Sequence, residues 1–174
     1  MYIGHVGAAL AAKRVRPSIG LLALLLATYT PDWVDGGLCL AGVSNPMGML
    51  SHSIPVVVLL ALAGFVLYAL RTRDYTAALI VAGLILSYML LDWITGYKPT
   101  WPGGPMIGLK LYGHPVADFI VEGLLIGAGA VLYGRTLPAR TRPWIDVSIM
   151  LGALLLLQIG IDIAHLMMKS LPKC

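Results

Sequence analysis

Residues 75–96 read YTAALIVAGLILSYMLLDWITG, a stretch that carries no charge until Asp92. At about 1.5 Å per residue such a run is roughly 30 Å long as a helix, the thickness of a bilayer's hydrocarbon core. It therefore predicts a membrane-spanning helix over 75–95, with a carboxylate close to one end. An ionisable group there is costly to retain and points to a function. The plain structural alternative is an aspartate that only caps the span at the interface.

Working outward, apolar runs over 17–31, 53–70, about 115–133 and 144 to about 168 predict further spans. Residues 1–12 are apolar but too short to cross, so they predict a half-helix that re-enters the membrane without spanning it. The resulting fold class is an all-α integral membrane protein. It is a single transmembrane helical domain over 1–174, a compact bundle of about five transmembrane helices with a short N-terminal half-helix. Composition agrees, since 59% of the 174 residues are hydrophobic and only 11% are charged. The net charge of +4 does not call for nucleic acid, because the basic residues sit in short clusters between spans. The cluster Lys13-Arg14-Val15-Arg16 follows the first apolar segment instead of preceding it, so no cleavable signal peptide is expected. Cys39 and Cys174 form neither a CxxC nor a metal-binding spacing.

The basic residues set an orientation. Lys13, Arg14, Arg16, Arg71, Arg73, Arg135, Arg140 and Arg142 fall in alternate loops, and Lys98, Lys110, Lys169 and Lys173 on the other side. The positive-inside bias then places loops 13–16, 71–74 and 134–143 in the cytoplasm, with 32–52, 96–114 and the C-terminus outside.

Measured along each span from its basic end, Asp32, His52, Asp92, His114 and Asp118 reach roughly 22–31 Å, within about two helical turns of one plane. Asp162 and His165 fall in the same band. Polar residues collect at interfaces in any case, but the basic ends carry Asp74 and Asp146 and no histidine. His114 and Asp118 stand at i, i+4, with Glu122 one turn deeper on the same face. Mixed imidazole and carboxylate donors suit zinc, with manganese and iron as alternatives. Glu122 is expected to pair with a neighbouring helix, the tryptophans to form an interfacial belt, and Gly123, Gly127 and Gly129 to allow close helix approach.

Several short motifs recur in a fixed order over residues 1–105: Gly4-His5-Val6-Gly7, Pro31-Asp32 with Asp35, Ser51-His52-Ser53, Leu90-Leu91-Asp92 with Thr95, and Trp101-Pro102. In these the chain resembles the membrane-bound metal-dependent hydrolases, a bacterial inner-membrane family with a LexA-regulated member. Two positions depart from the family pattern. Tyr88 stands where the family has a histidine four residues before the third-span aspartate, and Pro46-Met47-Gly48 stands near the place of a His-Arg-Gly.

The resemblance implies a multi-pass protein of the bacterial inner membrane. It would hydrolyse a phosphoester or acyl bond in a lipid-like substrate at the outer face, using a divalent metal that activates water. The metal ligands are expected among His5, Asp32, His52, Asp92, His114 and Asp118, with Asp35 or Asp118 as general base. His114 is expected to supply the imidazole that Tyr88 lacks. The expected partners are membrane lipid and that substrate, and no nucleic acid. The rival reading is a non-catalytic membrane subunit or binding module whose polar cluster only holds helices together.

Overall fold

The computed structural model of the chain describes residues 1–45, 48–138 and 143–167. Met47, Arg140, Arg142, Lys169, Lys173, Cys174 and the His165 side chain therefore lie outside the described residues. The all-α fold class holds. Seven α-helices run in the order α1 (Gly4–Val15), α2 (Leu21–Thr28), α3 (Thr30–Leu40), α4 (Ile54–Thr72), α5 (Tyr75–Thr95), α6 (Pro115–Gly134) and α7 (Pro143–Met167). Two two-residue strands, β1 (Lys98–Pro99) and β2 (Met106–Ile107), pair antiparallel between α5 and α6.

Four helices, namely α4, α5, α6 and most of α7, are long and apolar enough to cross a membrane. The expected span at 17–31 is two short helices instead. Pro31 has no N–H to continue the ladder of α2, and Thr30 Oγ1 turns back to the Leu26 carbonyl at 3.1 Å. The helix restarts at Thr30, with Pro31 in its first turn. Residues 32–40, expected as loop, are thus helical, and Asp32 and Asp35 both ride on α3.

The burial pattern is inverted relative to a water-soluble domain. Leu59, Leu62, Leu67, Leu79, Leu124 and Leu156 are exposed, while His5, His52, Asp92, Asp118, Glu122 and Gln158 are buried. A bundle that exposes so many leucines and buries ionisable groups beside an apolar core suits a lipid surround.

α1 packs against α6 and α2, α4 against α5, and α6 against α7. The α1–α6 contact is backbone to backbone. A Cβ added to Gly129 would sit 2.2 Å from the Gly7 carbonyl oxygen, and one added to Gly7 would sit 2.3 Å from that of Leu125. Gly129 therefore has the close-approach role expected of it. Gly127 faces nothing within 4 Å, and Gly123 meets only Leu155 at ordinary contact distance.

At the basic end, Arg16 donates to Asp74 at 2.8 Å and so ties the α1–α2 turn to the α4–α5 turn. Asp74 also caps α5 by accepting from the Ala77 N–H at 3.0 Å. The backbone donor at Ala77 and the Arg16 guanidinium hold the Asp74 carboxyl below the usual aspartate range. At the opposite end the segment between α5 and α6 is an ordered hairpin. It caps α4, because the Ile54 N–H donates to the Thr100 carbonyl at 2.8 Å. Its return strand is pinned to the end of α5 by Leu109 N–H to Trp93 O and Lys110 N–H to Gly96 O, each 3.0 Å. Gly108, at φ +136°, lets the two backbones meet there.

Candidate functional site

Four side chains from four helices or helix ends converge at the end opposite the basic turns. His5 lies in the first turn of α1, Asp32 in the first turn of α3, His52 just before α4 and Asp92 in the last turn of α5. His5 Nε2 is 3.2 Å from Asp92 Oδ1. His52 Nε2 is 3.4 Å from Asp32 Oδ1 and 3.8 Å from Asp92 Oδ2. His5, His52 and Asp92 are buried, while the Asp32 side chain is 43% exposed.

Tyr88, the departure from the family pattern, stands in the middle. Its hydroxyl donates to Asp32 Oδ1 at 2.7 Å and accepts from His52 Nε2 at 2.9 Å. Its ring stacks on that of His5, with centroids 4.1 Å apart and planes 8° from parallel. Behind His52 the chain of bonds continues. Ser51 Oγ lies 2.6 Å from His52 Nδ1, and Asn45 Nδ2 donates to Ser51 Oγ at 2.8 Å and to Asp35 Oδ1 at 2.5 Å. Because Asn45 uses Ser51 as an acceptor, the Ser51 proton goes to Nδ1. The imidazole then carries its own proton on Nε2, an assignment that rests on the bond pattern.

His5 owes its position to the far side of the bundle. The Glu122 carboxylate accepts from the Tyr2 N–H at 2.8 and 3.1 Å and from the Gly4 N–H at 2.8 Å. Ile3 N–H donates to Gln158 Oε1 at 3.2 Å. The residue before α1 supplies no side-chain cap, so an acid from α6 and an amide from α7 fill that role and complement the helix dipole. Glu122 does pair with a neighbouring helix, but with its backbone. The amino group of Met1 also reaches Asp92 Oδ1, at 2.8 Å, and contacts the Tyr112 hydroxyl.

Three expected site residues fall elsewhere. His114 is exposed in the position that precedes α6, and no hydrogen bond or ion pair among the described residues joins it to Asp92. The imidazole beside Asp92 comes instead from α1, through His5. Asp118 is buried against α7 and lines a small void with Tyr2, Tyr112 and Asp162, not the space beside His52. Asp35 is half-buried and bonded to Asn45, one link behind the cluster. Neither candidate general base faces the cavity described next.

That cavity has a volume of about 430 Å³ and is lined by Asp32, Asp92, Lys98, the rings of Tyr2, Tyr29, Trp33, Tyr88 and Tyr112, and the apolar side chains of Ile3 and Ile161. Lys98 was not singled out from the sequence, since it sits in an irregular loop where no periodicity marks a side chain's direction. Tyr88 stood out only as a departure.

The donor set can be tested for a metal. Two imidazoles and two carboxylates suit a borderline divalent cation. The separations of 3.2, 3.4 and 3.8 Å bracket the roughly 3.3–3.6 Å between two ligands of a tetrahedral zinc. Asp92 Oδ2 and His5 Nδ1 are buried without a hydrogen-bond partner. Ser51 donates to Nδ1 and leaves the Nε2 proton facing the carboxylates, so His52 would have to give up that proton to ligate a metal. By donor type and orphaned oxygen the residues suit such a cation. Among the described residues, though, no three such side chains surround one shared position, and the Tyr88 hydroxyl stands between His52 and Asp32.

No family model, no curated protein and no solved structure matches the chain.

Proposed function

We propose that the chain is a hydrolase embedded in the bacterial inner membrane, acting on an ester or phosphoester bond of a lipid-like substrate. His5, Asp32, His52 and Asp92 would hold a divalent metal, zinc before manganese or iron. The observation that supports it is the meeting of two buried histidines and two aspartates beside a cavity of about 430 Å³ at one end of membrane-length helices. The resemblance over residues 1–105 points to the same class of chemistry.

A divalent cation supplies Lewis acidity when bound. The chain's own groups do the rest. Asp32, the exposed member, takes a proton from water at the carboxylate oxygen that Tyr88 leaves free. Tyr88 Oη, which donates to Oδ1 of Asp32 and accepts from His52, holds that carboxylate in place. The rings of Tyr29, Trp33 and Tyr112 bound the cavity and limit the water beside Asp92. Asp35 steadies Asn45 and, through Ser51, the His52 ring.

One observation favours the rival, a structural cluster: Asp32, Tyr88 and His52 satisfy one another's hydrogen bonds. Elemental analysis of the protein purified in detergent separates the two. The hydrolase reading expects about one equivalent of metal, lost in His52→Ala and Asp92→Ala, together with hydrolysis of a chromogenic ester or phosphoester in micelles. Metal-free wild-type protein that hydrolyses neither leaves the structural cluster.

A further inference from the structure

We infer that Lys98 is the recognition point for the phosphate of a lipid headgroup, which makes the substrate of this cavity a phospholipid. The inference rests on the proposed hydrolase for the word substrate, but its test reads binding alone.

Lys98 is held firmly by its backbone. It opens β1, pairs with Ile107, and belongs to a hairpin clamped to both α4 and α5 through Thr100, Leu109 and Lys110. Its side chain is only 21% exposed and lines the cavity. Its ammonium lies 3.4 Å from Asp92 Oδ2, yet that oxygen has no hydrogen-bond partner. The cation therefore pairs with Asp92 by charge without spending a hydrogen bond on it, and an ammonium has three donors to give. The other lysine of this segment, Lys110, instead sits over the Tyr97 ring at 3.9 Å. Lys98 is thus the lysine of the hairpin that turns into the cavity, where an anionic oxygen would meet it in a place largely shielded from water.

The site also favours a lipid over a soluble anion. The cavity sits where α5 ends, at the depth of a headgroup, and tyrosine rings, Ile3 and Ile161 form much of its wall. Its volume of about 430 Å³ suits a headgroup better than a bare ion.

The test uses the full chain in dodecyl maltoside, with binding read by native mass spectrometry. The probes are dihexanoyl-phosphatidylglycerol, the phosphate-free dihexanoylglycerol and inorganic phosphate. Wild type should bind the phospholipid about tenfold tighter than dihexanoylglycerol, the scale of one charged hydrogen bond. Lys98→Met should lose that tenfold for the phospholipid only, while Lys98→Arg keeps most of it. Should Lys98→Met not fold, Lys98→Gln and the fall of wild-type phospholipid binding with added salt take its place. Equal binding of both lipids, or no effect of any Lys98 variant, overturns the inference. Inorganic phosphate binding as tightly as the phospholipid overturns its lipid part. Lys98-dependent binding without hydrolysis would sink the hydrolase and keep this inference. Hydrolysis with an unchanged KM in Lys98→Met would do the reverse.

Discussion

The rings of His5 and Tyr88 lie face to face, 4.1 Å between centroids and 8° from parallel. Tyr88 therefore serves α1 with its face and the other half of the cluster with its hydroxyl. The substitution Tyr88→Phe divides the two roles. It keeps the stack and removes the hydroxyl that links His52 to Asp32. Asp32 can turn to water in the cavity, but His52 Nε2 is buried. The expected loss is about 1–3 kcal/mol, the cost of one buried unsatisfied donor, read by chemical unfolding in detergent. An unchanged midpoint would show that the hydroxyl does not tie the cluster together.

Glycine at the α1–α6 crossing should be sensitive by position. Gly129→Ala places a methyl 2.2 Å from the Gly7 carbonyl oxygen, so α1 must move away from α6. The expected destabilisation is about 1–3 kcal/mol, with loss of any metal that His5 helps to hold. Gly127→Ala, facing nothing within 4 Å, should change stability by less than about 0.5 kcal/mol. Equal effects of the two would mean that the close crossing is not what Gly129 provides.

His114→Ala should leave metal content and stability where they are in wild type, while His52→Ala empties the site. His114 is exposed and unconnected to the cluster, whereas His52 lies between two carboxylates. Metal analysis of the two purified variants decides it, and parallel loss in both would restore His114 as a ligand.

Removing Glu122 should be costly in a graded way. Glu122→Ala leaves the Tyr2 and Gly4 N–H groups without their carboxylate, at about 1.5–3 kcal/mol for each charged bond lost. Glu122→Gln keeps an acceptor and should lose roughly half as much. Thermal melts in detergent rank the series, and an alanine variant as stable as wild type would rule out the cap.

The basic end carries the pH dependence that can be signed. Asp74 is held below its ordinary value by the Ala77 N–H and Arg16, so its charged form stabilises the fold. That contribution is complete above the unfolded aspartate value of about 3.9 and disappears as pH falls through the lower folded value. The stability difference between wild type and Asp74→Asn should be flat above about pH 5 and shrink below about pH 4. A difference that grows on acidification contradicts the assignment.

The long helices were legible because 20 or so apolar residues admit few other structures. The gathering of Asp32, His52 and Asp92 could be anticipated from depth, while His5 entered only through the resemblance. Asp35 and Asp118 share that depth without sharing the cavity, because helix rotation, which depth does not report, decides which way a side chain faces. His114 and Asp118 misled for a related reason: their i, i+4 spacing promises one face, yet His114 precedes the first helical turn. Glu122 was foreseen as a helix partner, but backbone N–H groups carry no residue signature, so its target was not. The α2–α3 break was visible at Pro31, while the restart of the helix beyond it needed the packing against α4 and α5.

The cap on α1 has a consequence for assembly. Gly4 meets Glu122 across 118 positions of sequence, and Ile3 meets Gln158 across 155. A chain made from its N-terminus and inserted helix by helix must therefore hold His5 in waiting until α6 and α7 arrive. A nascent chain halted after α5 lacks the acid and the amide that cap α1 and set His5 beside Asp92.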